Sequence, residues 1–485
     1  MRFTFPDGEL AAWAALGDVT PDGIRVWLRQ PSGTAEAARL LVEDELVAEA
    51  RLEPDAEHDM VAAADLRADR PRPGERFRVE VAGMERAGRF APAENEPAAF
   101  SFAFGSCHQP FAEGSLGDSL RTHAGAGIYG QMLTELRRSD ARFLVLTGDQ
   151  VYSDGVSSSS VREKLDESDV TDAELVEIYR HLYRGYFNQA GFRRLSEALP
   201  AYLTWDDHDI FDGWGSQLRP ESWDRRLFAA AEIAYREYQH LRNPGSSIAD
   251  DAPYAYPFWY GDVGFFVLDL RGCRSYQEKR VLGDEQWRRL DRFLADADRR
   301  ETPTVVLVAS VPVVHLSPAL VHAAAWIPGS KGTDVRDRWN VPAFRRDREA
   351  LLERCFAWRA GRPNRQVIIL SGDVHVGAAF RVRPRRSARW PGGALVQWTS
   401  SALTTPAGLQ HRLANRIGTT FVNLGEPTVV SRRDGMNGHN NFGVVKVEPI
   451  EGGGHRLTFR LHTYDPRRDR LEQAMTVHWP TVARA

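Results

Sequence analysis

Cysteine is scarce in this 485-residue chain: only Cys107, Cys273 and Cys355 are present. Three thiols do not make a disulfide framework, and they fit a reducing compartment with at most one thiol recruited to chemistry. Long apolar runs are missing too. The stretch from Thr304 to Leu316 is too short to cross a bilayer and contains Pro312. Charge of either sign is not in excess, with a net value of −4, so composition gives no reason to expect nucleic acid or an acidic membrane as partner. The basic run from Arg383 to Arg389 reads as a solvated face or loop. The start, MRFTFPDGEL, places Asp7 and Glu9 where an export signal would be apolar. A cytoplasmic protein is therefore expected, although a removed signal would leave no trace. There is no GxSxG elbow, no Walker lysine loop, no HExxH and no internal repeat. Gly125-Ala-Gly-Ile-Tyr-Gly130 matches a dinucleotide fingerprint in letters but does not directly follow a strand, so it is set aside.

Hydrophobic residues make up 42% of the chain and charged residues 26%, the balance of a globular protein large enough for two domains. Residues 1–98 carry short strands with roughly period two, such as Gly23-Ile-Arg-Val-Trp-Leu-Arg29, punctuated by Pro and Gly. This predicts a small antiparallel β-sandwich of the immunoglobulin or fibronectin type, with 92–97 as linker. From residue 99 to 485, strands alternate with helical periodicity at 172–187, 221–241, 284–298 and 343–359. That alternation predicts an α/β domain whose ligands bind beyond the carboxyl ends of strands.

Four strings end in this way. Phe143-Leu-Val-Leu-Thr-Gly-Asp149-Gln-Val-Tyr152 runs an apolar strand into a carboxylate and a phenol. Phe102-Ala-Phe-Gly-Ser-Cys107 ends on a thiol, and Tyr202-Leu-Thr-Trp-Asp206-Asp207-His208-Asp209 on a dense acidic cluster. Val367-Ile-Ile-Leu-Ser-Gly-Asp373-Val-His375 supplies two ligands two residues apart, on one face if the chain is extended. A carboxylate can bridge two cations, and a phenolate suits ferric iron. Hard carboxylates suit calcium, magnesium or manganese more than zinc. Three acids in four positions are costly to bury unless cations neutralise them. Each string also has a plainer reading: an Asx-capped turn, a packed free cysteine, an exposed acidic turn or a polar strand end. Cys273 and Cys355 keep that plainer reading, as do His315, His322 and His439. Thr399-Ser400-Ser401 reads as loop packing, because no base partner for a serine nucleophile is evident.

Taken together and in this order, the four blocks resemble the alkaline phosphatase D (PhoD-type) family of metallophosphoesterases. Leu268-Asp269-Leu-Arg271-Gly-Cys-Arg274 resembles that family's Asp-x-Arg segment. The resemblance implies a four-layer αββα sandwich behind the small leading β domain, and a centre of ferric iron and calcium, with Mn2+, Mg2+ or Zn2+ as alternatives in part of it. It implies that Cys107, Asp149 and Tyr152 hold iron, with Asp149 bridging, that Asp207 and Asp373 serve the second metal, and that His375 returns to the first. His208 would contact the phosphoryl group, and Asp206, Arg271 and Arg274 are further catalytic candidates. Either arginine would clamp a phosphate oxygen or pair with Asp269. Where wider metallophosphoesterases carry a histidine after the strand Val305-Val-Leu-Val-Ala, this chain has Ser310.

The expected function is hydrolysis of a small phosphoester, mono- or diester, by a metal-activated hydroxide. A catalytically silent binding module on the same fold is the alternative, and a serine hydrolase a more distant one. Residues 108–124, 153–171 and 311–342 are expected to be loops near the site. Oligomeric state is not legible.

Overall fold

The computed structural model describes residues 3–115, 119–156, 160–324, 335–405 and 408–480. The four serines 157–160, which read as a short polar loop, and the loops expected at 108–124, 153–171 and 311–342 lie in part outside these residues.

The leading segment forms two antiparallel sheets. One contains Trp13–Val19, Gly23–Arg29 and Val61–Arg67; the other orders Glu45–Leu52, Glu36–Val42, Arg76–Val81 and Met84–Arg89. Gly23–Arg29 is buried along its whole length, which strict apolar/polar alternation does not foretell. Ile24, Val26 and Leu28 enter a core shared with the sheets that follow. The opposite face, Arg25, Trp27 and Arg29, docks on the helical layer. Arg25 Nε donates to Leu241 O at 2.7 Å, and Trp27 Nε1 donates to Glu237 O at 2.7 Å. Arg29 pairs with Asp59 at 3.0 Å. The charged residues of this strand are thus satisfied by a neighbouring element rather than by water.

Two larger sheets lie face to face behind it. The first has six strands in the order Ala201–Thr204, Ala141–Thr147, Phe100–Gly105, Asn440–Pro449, His455–Asp465 and Arg470–Trp479, of which the first three run parallel. The second has seven: Tyr256–Tyr260, Val263–Val267, Thr304–Ala309, Gln366–Ser371, Leu395–Thr399, Gly377–Pro384 and Val429–Asn437. Its central four are parallel. Phe102, Phe143 and Val145 of the first sheet meet Phe265, Val306, Ile368 and Val396 of the second. Strands buried on both faces explain the near-continuous apolar runs.

Helices cover the outer faces. Asp172–Asn188 and Ser222–Tyr238 pack on the first sheet through Leu182 and Leu227. Asp284–Arg299 and Arg345–Ala360 pack on the second through Phe293 and Leu352. Cys355 belongs to this apolar layer, and burial pushes its thiol up to about 12. The four-layer α/β/β/α arrangement points the carboxyl ends of Phe100–Gly105, Ala141–Thr147, Ala201–Thr204, Thr304–Ala309 and Gln366–Ser371 toward one edge. No helix among the described residues is long and apolar enough to cross a membrane.

Candidate metal centre

Each strand end at this edge makes a sharp exit. Cys107, Asp149, Asp373 and His375 all sit in the left-handed region, with φ of 63°, 56°, 65° and 54°. A non-glycine residue there costs on the order of 1–3 kcal/mol and persists only where its surroundings enforce it. Glycines make room beside them. Gly148 has φ 103°, and a Cβ on it would lie 2.7 Å from Asp206 Cβ and 3.1 Å from Ser310 Cβ. Backbone hydrogen bonds then lace the exits together: His108 N to Asp149 O at 2.8 Å, Gly372 N to Ser310 O at 2.8 Å, and Leu403 N to Ser106 O at 2.9 Å.

The side chains form three overlapping donor sets, each with its atoms within 4.8 Å of one another: Cys107, Asp149 and His375; Asp149, Asp207 and His208; and Asp206, Asp207 and Asp373. Asp149 belongs to the first two sets and Asp207 to the last two. Cys107 Sγ lies 3.2 Å from Asp149 Oδ2, and Tyr152 Oη donates to the same oxygen at 3.3 Å. Asp149 Oδ1 and Asp206 Oδ2 are buried with no hydrogen-bond partner. Burial, then Cys107 and the neighbouring aspartates, holds the Asp149 carboxyl well above the usual carboxylate range. Burial and Asp149 raise the Tyr152 phenol in the same way. Burial and the charge of His208 bring His375 down to about 4, leaving a neutral imidazole. Without cations Asp149 and Tyr152 thus favour their protonated, neutral forms, and bound cations would reverse that preference. Thiol, phenol and imidazole on one side and carboxylates on the other match, respectively, a trivalent or borderline ion and a hard ion.

His208 stacks on Tyr152 with ring centroids 4.2 Å apart, and its Nδ1 faces Asp154 Oδ1 at 2.7 Å. Burial alone would lower this imidazole, but Asp154 and then Asp149 outweigh burial and raise it well above the usual histidine value. Asp154 also accepts the Asp212 amide, so the pair is fixed to the loop that follows. Asp154 also lines a cleft of about 810 Å³, together with Arg162, Phe211, Trp223 and Arg336 among others.

Arg271 and Arg274 are both buried among acids. The Arg271 side chain is 0% exposed; it pairs with Asp206 and binds Asp337 through both nitrogens, at 2.7 and 3.0 Å. It also lies 3.3 Å from Asp207. Arg274 packs over Phe344 at 4.2 Å and pairs with Asp337 at 3.2 Å. Asp269 instead receives the Arg271 amide at 2.9 Å and the Trp205 indole at 2.8 Å. The phosphate-clamp expectation for the two arginines is therefore replaced by a buried ion network that steadies Asp206 and Asp207. Part of the neutralising charge expected from cations alone comes from Arg271. Asp206 is likewise no exposed acid: it is 0% exposed, tied to Arg271 and to Ser310 Oγ at 2.9 Å. Ser310 thus holds a neighbouring carboxylate. Asp209 is a capping group, accepting the Asp206 amide at 2.9 Å and Gln239 Nε2 at 2.8 Å.

Four participants lack a motif of their own. Ser401 Oγ lies 3.0 Å from Cys107 Sγ and accepts the His375 amide at 2.8 Å. Asp154, Asp337 and Arg338 sit in loops; the spacing of Asp154 after Tyr152 was the one local cue available.

The fold is that of the metallophosphoesterases. The solved structure of PhoD covers 95% of this chain and 91% of its own, at 16% identity and a TM-score of 0.64. The purple acid phosphatase from yellow lupin seeds covers 97% and 74%, at 12% identity and a TM-score of 0.57. Within that class, the chain belongs to the PhoD-like phosphatase family, whose pattern matches residues 102–449. Alkaline phosphatase D of Bacillus subtilis is 26% identical over 303 residues, covering 60% of this chain and 48% of that protein. An uncharacterized protein of Saccharomyces cerevisiae is 22% identical over 317 residues, covering 49% and 45%. The chain spans about half the length of these curated relatives.

Proposed function

We propose that this protein hydrolyses small phosphoesters at a multinuclear cation centre. The observation that carries the reading is the overlap of the three donor sets through Asp149 and Asp207, built largely from residues held in a costly backbone conformation. Cys107, Asp149, Tyr152 and His375 would hold one cation, for which ferric iron suits thiolate and phenolate. Asp149 would bridge. Asp207 and Asp373, with Asp206 beside them, would hold a harder ion such as calcium, with Mn2+, Mg2+ or Zn2+ as substitutes. When bound, these ions supply Lewis acidity and a water acidic enough to attack phosphorus.

The chain's own groups do the rest. His208 keeps a proton on the ring through Asp154 and presents its other nitrogen to the phosphoryl group, where it stabilises charge or protonates the leaving oxygen. The cleft that Asp154 lines gives the leaving group room. Residues 1–98 form the supporting β unit and 99–485 the catalytic one. Three free cysteines suit a reducing, cytoplasmic setting. The test is an assay of metal-loaded protein on p-nitrophenyl phosphate and its bis ester. Turnover abolished by chelation and restored by metal supports the reading; a folded, metal-replete protein inert toward mono-, di- and triesters refutes it.

A further inference from the structure

The sulfur of Cys107 is met by two buried hydroxyls. Ser401 Oγ lies 3.0 Å from Cys107 Sγ, and Ser106 Oγ lies 3.3 Å from it. Each hydroxyl oxygen also accepts a backbone amide from one short segment. Asp373 N donates to Ser106 Oγ at 3.3 Å, and His375 N donates to Ser401 Oγ at 2.8 Å. Neither oxygen has a third hydrogen-bond neighbour among the described residues, so each O–H proton is left to the sulfur. The thiol's own proton points elsewhere, to Asp149 Oδ2 at 3.2 Å. Both serines are set in place by their surroundings. Asn441 donates to Ser401 O, and the Ser400 amide donates to Ser371 O at 3.0 Å. Leu403 N donates to Ser106 O at 2.9 Å, and a Cβ on Gly372 would lie 2.3 Å from Ser106 Oγ.

We propose that Ser401 and Ser106 are positioning residues of the centre, whose hydroxyls donate to the Cys107 sulfur and set how tightly that sulfur holds a cation and how much electron density it gives up. The inference rests on the cation-centre part of the function proposed above, and its readouts do not depend on turnover. A sulfur that has lost its proton to become a ligand can only accept, so both hydroxyls keep their direction when a cation is bound. Hydrogen bonds to a ligating sulfur stabilise its negative charge, lower its lone pairs in energy and fix their direction. Ser401 does more than Ser106. Its contact to the sulfur is shorter, and its one oxygen joins Cys107 to His375, two donors of the same set. The amides that the serines accept belong to Asp373 and His375, both at positive φ, so the hydroxyls that orient the sulfur also hold the strained segment beside it.

The experiment titrates Co2+ into metal-free wild type, Ser401→Ala, Ser106→Ala and Cys107→Ala, and follows the thiolate-to-cobalt charge-transfer absorption. Circular dichroism first establishes that each variant is folded, and Ser106→Ala decides by the same band if Ser401→Ala does not fold. The band should vanish in Cys107→Ala. Ser401→Ala should bind Co2+ about 10- to 100-fold more weakly, the usual cost of losing a group that orients a ligand. Its band should move to longer wavelength, because the sulfur lone pairs rise in energy without the hydrogen bond. Ser106→Ala should move the band the same way by a smaller amount. A contact that only fills space would weaken binding and leave the band in place. An unmoved band in the alanine variants, a shift to shorter wavelength, or wild-type affinity in Ser401→Ala would overturn the proposal. A Cys107-dependent band that both serine variants leave unchanged overturns this inference alone. A wild type whose cobalt spectrum is indifferent to Cys107→Ala overturns the cation-centre reading, and the inference with it.

Discussion

Gly148 shows how narrowly the site is drawn around single residues. Its φ of 103° and the 2.7 Å approach to Asp206 Cβ leave no room for a side chain. Gly148→Ala should therefore cost about 2–3 kcal/mol, from backbone strain and a clash that neither strand can relieve; urea unfolding of the metal-free protein measures it. His108, next to Cys107 in the chain but outside the donor sets, offers a pH test. It is stacked on Phe192 at 4.1 Å, and its Nε2 meets Tyr186 O at 3.1 Å. Burial brings it from 6.5 down to about 3. The unfolded chain thus takes up a proton near pH 6.5 that the folded chain refuses, so stability falls as pH drops from about 6.5 toward 3. In His108→Gln the unfolding midpoint should change less between pH 7 and 5 than in wild type. The metal-competent residues were legible because each follows an apolar strand. The fate of Arg271 was not, because its partner Asp337 lies 66 positions away and no local pattern links the two.

At the scale of elements, the strands act as rails and the loops as couplings. Parallel neighbours end together, so side chains from distant stretches arrive at one edge without any long-range motif. This is why the strand and helix ranges could be anticipated: helical periodicity at 172–187 corresponds to Asp172–Asn188, and that at 284–298 to Asp284–Arg299. The coupling loops obey no such period. The buried Arg271–Asp337 pair ties the loop before Trp339 to the strand-end acids, and removing one partner strands buried positive charge. Asp337→Asn should cost about 3 kcal/mol and weaken metal binding together, as read by calorimetry and by metal content after dialysis. Unchanged stability would mean that the network is relaxed or wet. The leading β unit was legible as a sandwich, whereas its docking through Arg25 and Trp27 was not: period two marks which residues share a face, not what covers that face.

For the whole molecule, the two stacked sheets give a rigid frame on which a few strained residues hold mutually repelling groups. Cations convert that repulsion into attraction, so binding should raise thermal stability with the logarithm of the free metal concentration above Kd. Chelator treatment should lower the melting temperature reversibly, and the metal-free fold should survive, since the sheet cores do not include the acids. The most direct measurement is metal stoichiometry by elemental analysis of the purified wild type, Asp149→Ala and Asp373→Ala, read beside phosphoester turnover. More than one metal per chain is predicted in the wild type. Asp373→Ala should lose one ion, and Asp149→Ala should lose more than one along with all turnover, because Asp149 is shared by the thiol-bearing set and the set it forms with Asp207 and His208. An Asp149→Ala protein that keeps the full wild-type metal content and turnover would contradict the account.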